Sequence, residues 1–287
     1  MTADRIRVAG VQHALRAVSG FAEFAAQCAH HVAAAAEWNV DLCIFPEFLT
    51  MQLLSIPRAD GREATIADLP AHGPAYHALF TGLAAQHRMT ILAGTHIHAR
   101  AGRLYNGAHV FLPDGRVAVQ DKLHLTPTEV SPWALTPGAS LAPIDLPFGR
   151  VAVLICYDVE FPELARQARA RGADLLLVPS CTDDRQGFHR VRHCCHARAI
   201  ENQIYVATTH TVGNLPVTWM RANIGNAAAI TPCDIQFPPG GVQAAGEMNV
   251  EQIVVAELDL ALLRRARDTG SVRTWQDRRA DLYPLAQ

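Results

Sequence analysis

Lysine is almost missing from this chain. Of its 25 basic side chains every one except Lys122 is arginine, and because a compact ammonium and a planar guanidinium do not substitute for one another in a tight site, the exception marks a position to follow. Other absences narrow the possible functions. No apolar run approaches the eighteen residues that span a bilayer, and the opening stretch from Met1 to Val8 alternates charged and apolar residues where a signal peptide would have an apolar core. A cytoplasmic protein with no membrane partner is therefore expected. The arginines are scattered and the net charge is -2, so no nucleic-acid footprint is indicated. Seven cysteines, an odd number, without a secretion signal point to reduced thiols and not to a disulfide framework. Gly-rich phosphate loops, GxGxxG, GxSxG and HExxH are all lacking. So is any CxxC pair. His96 and His98 on one strand, and His189, His193, Cys194, Cys195 and His196 on one helix, lack the companion ligands of a zinc site and read as structural. No metal and no cofactor are expected.

What remains is an α/β pattern. With 49% hydrophobic residues and no linker, the 287 residues suffice for one large domain, taken as 1–287. Arg5–Gln12 reads as a strand, and a helix after Gly20 carries the stripe Phe21, Phe24, Cys28 and Val32. Val40 to Phe45 is a short apolar strand ended by Pro46, with Glu47 at its carboxyl end. The Pro- and Gly-containing stretch from Leu54 to Gly73 reads as a surface loop able to cover a pocket. A helix from Pro74 to Arg88 and a strand from Met89 to His98 follow, then a hairpin turning at Pro113-Asp114-Gly115. Its second strand ends at Asp121-Lys122-Leu123-His124, and Glu129 stands seven residues beyond the lysine.

The central stretch is Val151 to Glu163. Five apolar residues deliver Cys156 to a short acidic turn, Pro162 and Glu163 suit a helix start, Gly172 ends that helix, and Ala173 to Pro179 forms the next buried strand. This βαβ unit puts Cys156 at the carboxyl end of a strand, where open α/β sheets bind ligands. Its place beside a helix start is expected to ease its ionisation. The polar turn Ser180-Cys181-Thr182-Asp183-Asp184 lies at the end of the following strand and is expected to line the same mouth. A helix from Phe188 to Gln203 comes next. Strands at Ile204–Thr209, Asn226–Ile230 and Ile253–Leu258 and a helix at Ala261–Arg267 complete the pattern, and a tail over about 268–287 with Trp275 and Tyr283 is expected to reach a second subunit.

Three strand ends thus present a carboxylate, an ammonium and a thiol. At these residues the sequence resembles the nitrilase superfamily of carbon–nitrogen hydrolases: Phe45-Pro46-Glu47-Phe48, Asp121 to Leu125, and Cys156-Tyr157-Asp158 with Phe161-Pro162-Glu163 match its three catalytic motifs in order. Arg198 to Gln203, Thr136-Pro137-Gly138 and Glu257 to Leu260 extend the match over nearly the whole chain. The resemblance implies a four-layer αββα sandwich, usually dimerised through a helical face, hence a homodimer or higher homo-oligomer. It implies Cys156 as nucleophile, Glu47 as general base, Lys122 with the Tyr157 N–H as oxyanion stabilisers, and Glu129 as a glutamate that orients base and substrate. Cys181, Thr182 and Asp183 are expected substrate contacts. Tyr157, where nitrile hydrolysers of the family carry tryptophan, favours a small linear amide or N-carbamoyl compound. Nitrile hydrolysis, acyl transfer to an amine, and a non-enzymatic metal- or thiol-binding role are the alternatives. Glu160, Asp183 and Asp184 near the mouth suggest neutral or cationic substrates.

Overall fold

The computed structural model describes residues 4–217 and 222–282. The chain begins with β1 (Arg5–Gln12), β2 (Ala14–Leu15), α1 (Phe21–Ala36), β3 (Leu42–Phe45), α2 (Gly73–His87), β4 (Thr90–Arg100), β5 (Arg103–Phe111), β6 (Val117–Asp121) and the short α3 (Pro127–Val130). It continues through β7 (Ile144–Leu146), β8 (Gly149–Val153), α4 (Pro162–Ala170), β9 (Leu175–Ser180), α5 (Arg185–Asn202) and β10 (Tyr205–His210). The remainder is β11 (Val212–Gly213), β12 (Ala228–Ile230), β13 (Val242–Ala245), β14 (Gln252–Asp259) and α6 (Leu260–Thr269).

Two six-stranded sheets result. In the first the order is β14, β1, β3, β4, β5, β6, and in the second β13, β12, β10, β9, β8, β7. Each has a parallel centre (β1, β3 and β4; β8, β9 and β10) flanked by antiparallel strands. Short apolar strands alternating with amphipathic helices give that centre, since a parallel pair needs a crossover and the crossover helix covers one face.

Side-chain alternation assigns the layers. Ile6, Val8, Leu42 and Ile44 share a core with Val151, Val153, Leu175 and Leu177 of the second sheet, whereas Ala9, Val11, Cys43 and Phe45 pack under Phe24, Cys28 and Val32 of α1 and Tyr76 and Phe80 of α2. On the far side α4, through Leu164, Ala165 and Ala168, and α5, through Val191, Cys195 and Ala199, join the core of the second sheet. The layers run helix, sheet, sheet, helix, as the resemblance implies. Among the described residues no helix is long and apolar enough to cross a membrane.

The structure departs from expectation in several places. The stretch from Leu54 to Gly73 is not an open loop over a pocket. Leu49–Ser55 and Ile66–His72 are tight helical turns, the second opened by a capping box of Thr65 and Asp68, and Leu53, Leu54, Ile66 and Leu69 are buried. Apolar residues returning every few positions outweigh the Pro and Gly signals, and only 59–63 form a run of exposed residues. Helix α5 starts earlier than expected, at Arg185, because the Asp184 carboxylate accepts the Gly187 N–H at 2.5 Å as an N-cap. Separately, and without bearing on the expected contact of the tail with a second subunit, the Arg278 guanidinium lies 3.5 Å and that of Arg169 5.0 Å from the ring centre of Trp275. Tyr283 lies outside the described residues. The edge strands β7 and β13 carry too few residues for periodicity to reveal them.

Candidate active site

Glu47 follows β3, Lys122 follows β6, and Cys156 stands three residues beyond β8. The fold brings the three together. Lys122 Nζ is 2.8 Å from Glu47 Oε1 and 2.9 and 2.8 Å from the two oxygens of Glu129, with Lys122 and both glutamates about 1% exposed. Asn106 in β5 donates its amide to Glu47 Oε1 and Glu129 Oε1, both at 3.0 Å, and the Cys181 N–H donates to Glu47 Oε2 at 3.0 Å. The Cys156 thiol donates to the Cys181 carbonyl at 3.5 Å, and the Glu47 charge lies close enough to act on it.

Burial and charge compete in this cluster. Removal from water pushes the Glu47 carboxyl up to about 7 even though the Lys122 ammonium opposes it. Burial would lower Lys122, but the carboxylates of Glu47 and Glu129 more than offset it and hold the ammonium protonated. The Cys156 thiol is pushed well above its usual range, first by burial and then by the Glu47 charge. This corrects the expected easy ionisation: Cys156 lies in a tight helical turn, Cys156–Glu160, that precedes α4, and the low-dielectric surroundings outweigh any help from a helix end. The resting Cys156 thiol keeps its proton. Its backbone φ of 47° is a left-handed conformation costly for a non-glycine residue.

A carbon–nitrogen hydrolase family profile matches residues 7–268. The chain belongs to the carbon–nitrogen hydrolase family. It is 38% identical over 281 residues to the probable hydrolase YhcX of Bacillus subtilis, covering 98% of this chain and 55% of that protein, so it spans about half the length of that relative. It is 31% identical to the omega-amidase NIT2 of Bos taurus over 69% of this chain and 70% of the other. Among solved structures, a carbon–nitrogen hydrolase from Helicobacter pylori superposes with a TM-score of 0.83 at 22% identity over 98% and 97% of the two chains. A Nesterenkonia amidase of the nitrilase superfamily superposes with a TM-score of 0.75 at 22% identity over 97% and 96%.

Within this family member the other expected site residues fare differently. Tyr157 follows the thiol at the start of its turn, with its ring edge-on to Phe161. Cys181 reaches the site through its backbone N–H, while its sulfur lies 3.2 Å from Asn223 Oδ1. The Thr182 hydroxyl donates to the Ile224 carbonyl at 2.6 Å, and Asp183 is exposed. The acidic mouth does not form as expected. Glu160 pairs with Arg190 at 2.8 Å and Asp184 caps α5, which withdraws the argument for cationic substrates.

Two groups escaped the sequence reading. Asn106 is one, because an asparagine inside an apolar strand does not announce which charges it meets. Asp158 is the other. Its carboxylate accepts N–H groups of His124 at 2.7 Å, Leu123 at 3.2 Å and Ile155 at 3.2 Å, tying the turn of the thiol to the strand end of the lysine. Its place two residues after Cys156 was the available signal.

Proposed function

We propose that this chain hydrolyses the C–N bond of a small linear amide or N-carbamoyl compound through a thioester on Cys156. The observation that carries the proposal is the buried contact of Glu47 with Lys122, braced by Glu129 and Asn106 and near enough to the Cys156 thiol for its charge to act on it. Glu47 takes the thiol proton as sulfur attacks the carbonyl carbon. A protonated Glu47 holds Lys122 less strongly, so the ammonium turns toward the developing oxyanion together with the Tyr157 N–H, one of the first N–H groups of its turn, which have no partner within the turn. The C–N bond breaks as Glu47 gives its proton to the leaving nitrogen. Water then attacks the thioester, Glu47 accepts its proton, and the proton returns to sulfur as the acid departs.

Ammonia release from a panel of small amides, carbamoyl compounds and nitriles, with Cys156→Ala protein as blank, tests the reading. Amide turnover is expected in the parent and none in the blank. The kcat/KM of the parent should rise with pH through about 7, since Glu47 must be a carboxylate to act and burial holds it near that value. Turnover confined to nitriles, acyl transfer to hydroxylamine in preference to water, or activity surviving in Cys156→Ala would each reject the amide-hydrolase reading.

A further inference from the structure

Away from the Glu47 cluster, three ligand-type side chains converge on the outer face of the first sheet. One nitrogen each of His13 and His31 and an oxygen of Glu251 lie within 4.8 Å of one another. His13 follows β1, His31 belongs to α1, and Glu251 immediately precedes β14, so the group joins three elements distant in sequence. His31 Nε2 is 3.3 Å from Glu251 Oε1, close to the separation of about 3.3 Å between two ligands that each lie about 2.0 Å from a tetrahedral zinc ion.

His13 supplies a second, independent sign. It is fully buried, its Nε2 is 2.7 Å from Gln52 Oε1, and the amide of Gln52 donates to Gln27 Oε1 at 2.6 Å. With the Gln52 oxygen facing the ring, Nε2 is the protonated nitrogen, and a lone pair is left on Nδ1, which has no hydrogen-bond partner. Burial pushes the ring down to about 4, so it stays neutral at ordinary pH. A buried imidazole with one nitrogen fixed by a carboxamide and the other bare is the arrangement that orients a metal-bound histidine. An unfilled buried acceptor of this kind is otherwise destabilising.

The surroundings supply access and a competitor. An open cavity of about 420 Å³, lined by Glu23, Gln27, His30 and His31 among others, gives solvent a route to the group and space for a water ligand. Glu251 also accepts the Ala14 N–H at 3.2 Å and is paired with Arg16, whose half-exposed side chain can withdraw into water when a dication arrives. We propose that His13, His31 and Glu251 form a binding site for a divalent transition metal of the zinc class, separate from the Glu47 cluster, which clamps the β1–β2 turn, α1 and the start of β14. The donor set of two imidazoles and one carboxylate matches zinc chemistry, with a fourth position open to the cavity. Gln52, which orients His13, lies in the turn that follows Glu47, so the clamp also backs the segment carrying that residue.

The test uses the full chain after chelator treatment, titrated with cobalt(II) chloride and then zinc chloride, in both the parent and the Cys156→Ser protein so that the candidate nucleophile cannot account for the signal. One equivalent of cobalt should give d–d absorption without a sulfur-to-cobalt charge-transfer band, and zinc should raise the Tm. Glu251→Gln and His31→Gln should each weaken binding about 100-fold or more, and Gln52→Leu about 10–100-fold. Arg16→Gln should tighten binding by removing the competing cation, a result that a merely structural cluster would not produce. No cobalt bound, a sulfur charge-transfer band that disappears with Cys156→Ser, or affinity unchanged in both Glu251→Gln and Arg16→Gln would overturn the proposal. Glu251 and Arg16 are partly exposed, so those variants remain informative if His31→Gln does not fold.

Discussion

Lys122 illustrates how far a single residue can be followed. Its rarity singled it out in the sequence, and the structure shows what a point charge achieves there that a fork would not: three short bonds to two carboxylates from one atom with almost no exposure. A guanidinium is planar and larger, and in this closed space it would displace Glu47 or Glu129. Lys122→Arg should therefore lose about 10²–10³ in kcat/KM, as much as Lys122→Ala, since a donor aimed at the developing charge is worth roughly that much. Amidase assays of the two variants with folding checked by circular dichroism decide it. Retained activity in the arginine protein would make charge alone sufficient. Asn106 shows the opposite limit of legibility, because its role depends entirely on which strands neighbour β5, a fact of sheet order that no local pattern contains.

At the scale of elements, the turn carrying Glu47 is shaped by its neighbour β4. The pairing of β4 with β5 slips between Leu92 and Thr95, placing one extra residue on β4, and Gly94 sits in this bulge at φ 63°. The bulge lets the Thr95 hydroxyl accept the Phe48 N–H at 2.8 Å. It also brings backbone so close that a Cβ on Gly94 would stand 2.1 Å from the Pro46 carbonyl oxygen. Gly94→Ala must then push the Pro46-Glu47 turn away, besides placing a Cβ at positive φ. The expected result is a folded protein of reduced stability whose kcat/KM falls about 10²-fold, the scale of a misplacement near 1 Å. An unchanged kcat/KM in amide assays would show that the turn does not depend on the bulge. The strand and Glu47 were readable from the apolar run and Pro46. The bulge was not, since a glycine within a strand signals close approach without naming what approaches, and the same blindness turned the largely packed stretch 54–73 into an expected loop.

For the molecule as a whole, the histidines set the response to acid. Burial, the first cause in each case, pushes His13 down to about 4, His96 and His210 to about 3 and His109 to about 2. The unfolded chain would protonate these rings near 6.5. Their stabilisation is therefore present above about pH 6.5 and is lost as pH falls toward those folded values. Glu47 acts in the other direction, because its carboxyl is raised from 4.5 to about 7 by burial: its contribution is present below about pH 4.5 and is lost as pH rises through about 7. Between pH 6 and 5 the histidines prevail, leaving about three more protons on the unfolded chain, or roughly 4 kcal/mol per pH unit. That is a large part of the stability of an ordinary domain. Urea midpoints measured with chelator present should accordingly be similar at pH 8 and 7 and fall steeply from pH 6 to 5. His109 offers the control, because both of its ring nitrogens are buried without partners among Tyr76, His77, His96, His98 and Phe111, with Asp121 the nearby acid. His109→Phe should flatten the pH slope by about one proton. If the parent midpoint does not change between pH 7 and 5, or if His109→Phe keeps the full slope, these rings are not held neutral and the packing of the two outer layers does not carry the acid sensitivity assigned to it.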